Sequence, residues 1–133
     1  MINEENKYKL YSNSFYYDFM KKINTRKYIF MEKIYKNLIK RKPLICIGAA
    51  AKANTFLNFY GLDNKIVNYI TDSSTNKIGK YTPLTRIPIE KDQIIKKFKI
   101  PNIIFTAWNV SDNLKKIIGK INPKYKELKP YEN

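Results

Sequence analysis

Short, wholly apolar runs alternate along this chain with longer segments whose apolar positions recur every three or four residues. Phe15, Phe19, Ile23, Ile29, Phe30, Ile34 and Leu38 keep helical intervals as far as Lys40. Ser12 or Asn13 is placed to cap this segment near Ser14, and Asn24-Thr25 leaves open one long helix or two abutting ones. Arg41, Lys42 and Pro43 break it. Leu44-Ile45-Cys46-Ile47 then reads as a strand buried on both faces. Gly48 ends that strand, Ala49, Ala50 and Ala51 open a helix, and Phe56, Leu57, Phe59 and Tyr60 give it an apolar stripe. Gly61 stops it at its C-terminus.

The second half repeats the alternation. Residues 65–70 read as a second strand ending at Thr71-Asp72. Lys77 to Ile89, with two prolines and a glycine, reads as a loop leading into a short edge strand over 86–89. A short helix is expected over 90–98, a third apolar strand over 102–106, and a helix over 110–120. That last helix turns Leu114, Ile117 and Ile118 inward, with Asn109 or Ser111 as its cap. The tail from Ile121 has room for a final short strand. This order predicts an α/β domain, a small parallel sheet with helices on both faces, preceded by an N-terminal helical segment. Residues 1–13 read as a polar arm and 14–133 as one domain, with its helix at 14–40 and its α/β core at 44–133.

Strand, small-residue turn and helix together point to anion binding. The first N–H groups of the helix face outward at the positive end of its dipole, and Lys52 adds a full charge. The plainer reading is that the alanines let helix and sheet pack closely. Asp72 ends the second strand, where dinucleotide folds hold a ribose; with Ser73, Ser74, Thr75 and Asn76 behind it, it also reads as a turn residue. In a parallel sheet Ala49, Asp72 and Trp108-Asn109 gather at one edge, the crevice where such sheets bind ligands.

Composition narrows the chemistry. The chain has 133 residues, 44% of them hydrophobic, enough for one cored domain. No apolar run approaches a membrane span. Its single cysteine, Cys46, lies in the first strand, so it can form no internal disulfide and no cysteine metal cluster can be assembled from it. A cytoplasmic setting is expected. Histidine is absent, which removes the commonest general base and metal ligand. The net charge of +15 invites nucleic acid, an acidic surface or a phosphorylated small molecule. The lysines are spread along the whole chain rather than clustered, so nucleic acid ranks last.

Four strings carry a resemblance: GAAAKANTFLN (Gly48 to Asn58), Thr71-Asp72, KIGKYTPLTRIPI (Lys77 to Ile89), and Ala107-Trp108-Asn109. In this order and spacing they resemble the C-terminal, Rossmann-like domain of the sugar C-methyltransferases, which methylate a carbon of a nucleotide-linked deoxy-keto sugar. The similarity runs from about Phe15 to the C-terminus. It implies an enzyme in three parts: a zinc-binding segment, a central S-adenosylmethionine domain holding the base, and this nucleotide-sugar-anchoring part. The chain itself shows no zinc cluster, no histidine and no second glycine-rich unit, so it would bind ligand without catalysing alone. No cofactor is expected in this chain; S-adenosylmethionine would sit on a partner chain or another domain.

By resemblance, Gly48, Ala49, Ala50, Ala51, Lys52, Asn54 and Thr55 line the crevice, with Asp72 at its edge. Lys77, Lys80, Tyr81, Thr82 and Pro83 form an adjoining loop, and Trp108 and Asn109 border the site. The family usually has Gly at the position of Ala53, and Gly and His at those of Leu84 and Arg86; Arg86 would instead hold phosphate bidentately. An aspartate in place of Ala53 is expected to abolish phosphate binding. The implied role lies in deoxysugar or surface-carbohydrate synthesis, with a nucleotide-linked sugar and a separate methyltransferase chain as partners. The alternatives are a stand-alone nucleotide-binding or protein-interaction module and, third, a basic nucleic-acid binder.

Overall fold

The computed structural model describes residues 2–8 and 10–130. Five strands, β1 (Leu44–Ile47), β2 (Tyr69–Thr71), β3 (Ile89–Glu90), β4 (Asn102–Phe105) and β5 (Lys126–Glu127), form one sheet in the order β3-β2-β1-β4-β5. Every pairing is parallel, with Ile45 opposite Tyr69 on one side and Ile103 on the other. The helices are α1 (Ile2–Lys7), α2 (Asn13–Ile39), α3 (Ala51–Tyr60) and α4 (Ser111–Ile121).

The unbroken apolar runs arise because the central strands are covered on both faces. Side chains alternate across a strand. Leu44, Cys46, Ile70 and Ile104 therefore face α2 and α3, packing with Phe30, Ile34, Phe56 and Leu57. Ile45, Ile47, Ile103 and Phe105 face α4 and a 3₁₀ helix at Asp92–Lys97, packing with Ile95 and Ile118. Burial pushes the Cys46 thiol up to about 12.

Ser12 caps α2 as expected, its side chain accepting from the Phe15 N–H at 3.2 Å. The helix runs unbroken through Asn24-Thr25, where the Thr25 hydroxyl donates back to the Lys21 carbonyl at 2.9 Å. Only its C-terminal half is anchored, through Phe30, Met31 and Ile34; Tyr16, Phe19 and Met20 on the other half are exposed. Gly61 ends α3 in the left-handed conformation at φ 66°.

Several boundaries differ from the pattern-based expectation, each for a local reason. The polar start is helical over Ile2–Lys7 rather than irregular. The second strand begins only at Tyr69, because the Ile66 and Val67 N–H groups donate to the Asp63 carbonyl in a turn. The edge strand is Ile89–Glu90, and the helix expected over 90–98 is 3₁₀. Neither Asn109 nor Ser111 caps α4: a 3₁₀ turn at Trp108–Val110 leads into it, with Val110 at the cap position and no capping side chain.

Candidate functional site

In a 3-2-1-4-5 sheet, the connections leaving β1 and β4 diverge, and a crevice opens between them at the carboxyl edge. Gly48 forms its floor. Its φ is 100°, and a Cβ there would lie 2.5 Å from the Ala107 Cβ. The Gly48 N–H donates to the Thr71 carbonyl at 2.8 Å. The buried Thr106 hydroxyl sits 2.9 and 2.8 Å from the carbonyl oxygens of Ile47 and Gly48. The ends of β1, β2 and β4 are thus locked together.

Directly above this floor α3 begins. Ala50 is extended at its cap position, and no side chain caps the helix. The positive end of the helix dipole therefore opens into the crevice among small side chains, Ala50 half-buried and Ala51 exposed. Lys52 reaches across to Trp108, its Nζ 5.3 Å from the ring centroid. Trp108 is 49% exposed, at the head of the β4–α4 connection, with Asn109 exposed beside it. Lys52 and Trp108 thus meet beside the start of α3, while Trp108 and Asp72 line different cavities.

The opposite wall is acidic. Asp72 is a turn residue here: its Oδ1 accepts from the Ser74 N–H at 2.8 Å, and its Oδ2 accepts from the Ala49 N–H at 3.0 Å. Lys77 closes the arrangement, its ammonium 3.1 Å from Asp72 Oδ2 and 3.0 Å from the Ala49 carbonyl. The Asp72 side chain is only 13% exposed. Its carboxylate shapes the turn and competes with any anion for the Ala49 N–H. Asp92 accepts from the Thr71 hydroxyl and, with Asn113, lines the same cavity of about 310 Å³. Neither stood out in the sequence, although Asp92 lies two residues past the end of β3, where the strand-edge rule points.

The remaining expected residues lie elsewhere. Gly79, Lys80 and Thr82 pair antiparallel with Ile87 and Ile89, so the segment folds back as a hairpin along β3. Its tip reaches the amino edge of the sheet, where the Asn64 N–H donates to the Thr85 carbonyl at 3.0 Å. Lys77 is at the crevice, whereas Lys80, Tyr81, Thr82, Pro83 and Arg86 lead away from it. Thr82 is buried and builds the hairpin, its hydroxyl accepting from the Ile87 N–H at 2.9 Å. The Arg86 guanidinium lies over the Tyr81 ring at 5.1 Å. Asn54 and Thr55 belong to the body of α3, behind its N-terminus. Ala53, 1% exposed, faces the core, so a charge there would test folding rather than anion binding.

Among the described residues no group of three or more Cys, Asp or Glu is placed to hold a metal, and no helix is long and apolar enough to cross a membrane. No curated protein matches the chain. A family model for the C-methyltransferase C-terminal domain matches residues 1–124, reaching further toward the N-terminus than the four strings do. With nearly the whole sheet and all four helices inside that match, the chain belongs to the C-methyltransferase C-terminal domain family.

Proposed function

We propose that this domain binds a nucleotide-linked sugar in the crevice at the carboxyl ends of β1, β2 and β4. It would be the substrate-anchoring part of a sugar C-methyltransferase acting in deoxysugar or surface-carbohydrate synthesis in the cytoplasm. The observation that carries this reading is the uncapped N-terminus of α3 opening beside Lys52 and Trp108. Phosphate suits the helix end and Lys52. Hydroxyl groups of a sugar suit the acceptors Asp92 and Asn113 on the facing wall. A nucleoside methyl donor held in the usual way would need the carboxylate after β2 for its ribose, and Asp72 is committed to Ala49, Ser74 and Lys77. The crevice therefore does not fit S-adenosylmethionine in that manner, and the reading places the methyl donor on another domain or chain.

The test is thermal unfolding of the purified chain with a panel of nucleotide diphosphate sugars. A ligand at about a hundredfold excess over its Kd adds about 2.7 kcal/mol of stability. The key variant is Ala51→Asp, at an exposed position in the first turn of α3. An acidic residue there suits the helix dipole, so the free protein should be no less stable. Phosphate affinity should nevertheless fall roughly tenfold or more through like-charge repulsion. Unchanged affinity in this variant would sink the assignment.

A second reading, a protein-interaction module, rests on the exposed Tyr16, Phe19 and Met20 on the free half of α2. It would be favoured if no nucleotide sugar raised the unfolding midpoint.

A further inference from the structure

A second, smaller cavity, of about 170 Å³, is lined by Trp108 and shares no lining residue with the cavity at Gly48. Phe56, Phe105 and Trp108 line it together with Leu128 and Pro130. At its rim the Lys115 ammonium pairs with Glu127 at 3.0 Å and lies 5.6 Å from the centroid of Phe105. Three aromatic side chains and an ion pair around one small cavity suit a slot for one flat ring that carries hydrogen-bonding groups on its edge.

We infer that this slot takes the planar heteroaromatic base of the nucleotide, stacked against Trp108. The inference rests on the nucleotide-sugar reading above and deepens it. Two features of Lys52 support it. Phe56, in the slot wall, and Lys52, at the anion end, stand four residues apart on α3, about 6 Å along the helix. A ribose bridges a base and its first phosphate over a comparable span. Lys52 also sits against the Trp108 ring, which ties the first turn of α3 to the aromatic side chain of the slot. Both partners of the Lys115–Glu127 pair line the cavity, and their donors and acceptors suit the edge of a base. The sugar is then left to the larger cavity, against Asp92 and Asn113.

Trp108 is the chain's single tryptophan, so its emission reports on this one place. The purified chain is titrated with nucleoside monophosphates, and in parallel with a sugar 1-phosphate and with inorganic pyrophosphate. Nucleotides should change the emission saturably, and the base-free phosphates should leave it nearly unchanged. Trp108→Ala, at a half-exposed position, should weaken nucleotide binding about 5- to 150-fold as read by thermal shift, the range for losing one base–aromatic stack. Pyrophosphate binding should persist in that variant. If nucleotide sugars stabilise the protein but emission is silent and Trp108→Ala binds as well as the parent, the slot is not the base site, while the proposed function stands. If no nucleotide or nucleotide sugar has any effect, both fail.

Discussion

Gly48→Ala is the substitution that most directly probes how the crevice is built. Two costs are readable at the site. The backbone sits at φ 100°, outside the range alanine adopts without strain, which costs about 1–3 kcal/mol. The new methyl would lie 2.5 Å from the Ala107 Cβ and 3.2 Å from its backbone nitrogen, and neither atom is the movable end of a flexible side chain. Forcing β1 and β4 apart adds about 1–3 kcal/mol of overpacking. Together the two costs come to about 2–6 kcal/mol, against about 5–15 kcal/mol for a whole domain. The other glycines supply graded controls. Gly61 and Gly79 have φ of 66° and 82° and nothing within 4 Å of the added methyl, so alanine there carries the backbone cost alone. Gly119 lies inside α4 with open space around it and no positive φ, so alanine should stabilise by about 0.4–1 kcal/mol. Urea unfolding of the four variants should rank them with Gly48 clearly the worst and Gly119 reversed in sign. A Gly48 variant no less stable than the Gly61 variant would refute the close approach of the two strand ends.

Asp72 separates turn-building from ligand contact. Asp72→Ala strands the Ala49 and Ser74 N–H groups and releases Lys77, so it should cost about 1–3 kcal/mol in urea unfolding with no ligand present; an unchanged midpoint would show that the carboxylate is held for a ligand. For Cys46, burial raises the thiol from 9.0 to about 12, so the folded protein holds that proton more tightly than the unfolded chain. Its contribution to stability is full below pH 9 and is lost as pH rises from 9 toward 12. At pH 8 a thiol reagent should react only as fast as the protein unfolds, and immediate labelling in native buffer would contradict the burial of β1.

The parts of this architecture that could be read from the sequence are those where one local cause suffices. Leu44–Ile47 announces a strand because all four residues are buried, and the stripe through Phe56, Leu57 and Tyr60 announces α3 because one side of it meets the sheet. Where a partner distant in sequence decides, the pattern is silent. The strand expected from Lys65 is shortened by a turn on Asp63, while Asn68 is spent on the β1 backbone, its side chain accepting from the Leu44 N–H at 2.9 Å. Likewise, nothing in the order Asp72-Ser73-Ser74 says that the carboxylate will reach the Ala49 N–H, 23 residues earlier in the chain.

The longest of the recognisable strings shows how a family signature divides by physical role. In KIGKYTPLTRIPI, Lys77 alone contacts the crevice, through Asp72 and the Ala49 carbonyl. Thr82 and Thr85 hydrogen-bond to each other inside the hairpin, and Ile87 and Ile89 enter the core. Their spacing is therefore explained by the hairpin that flanks β3. Leu84 is different: it is 85% exposed and held at φ 63°, a conformation that costs a non-glycine residue about 1–2 kcal/mol and for which no compensating contact is evident. The string identifies the fold more than the ligand. The proposed ligand contacts fall outside that string, on Lys52 and Trp108, which meet over the Trp108 ring, and on Asp92 and Asn113, which line one cavity.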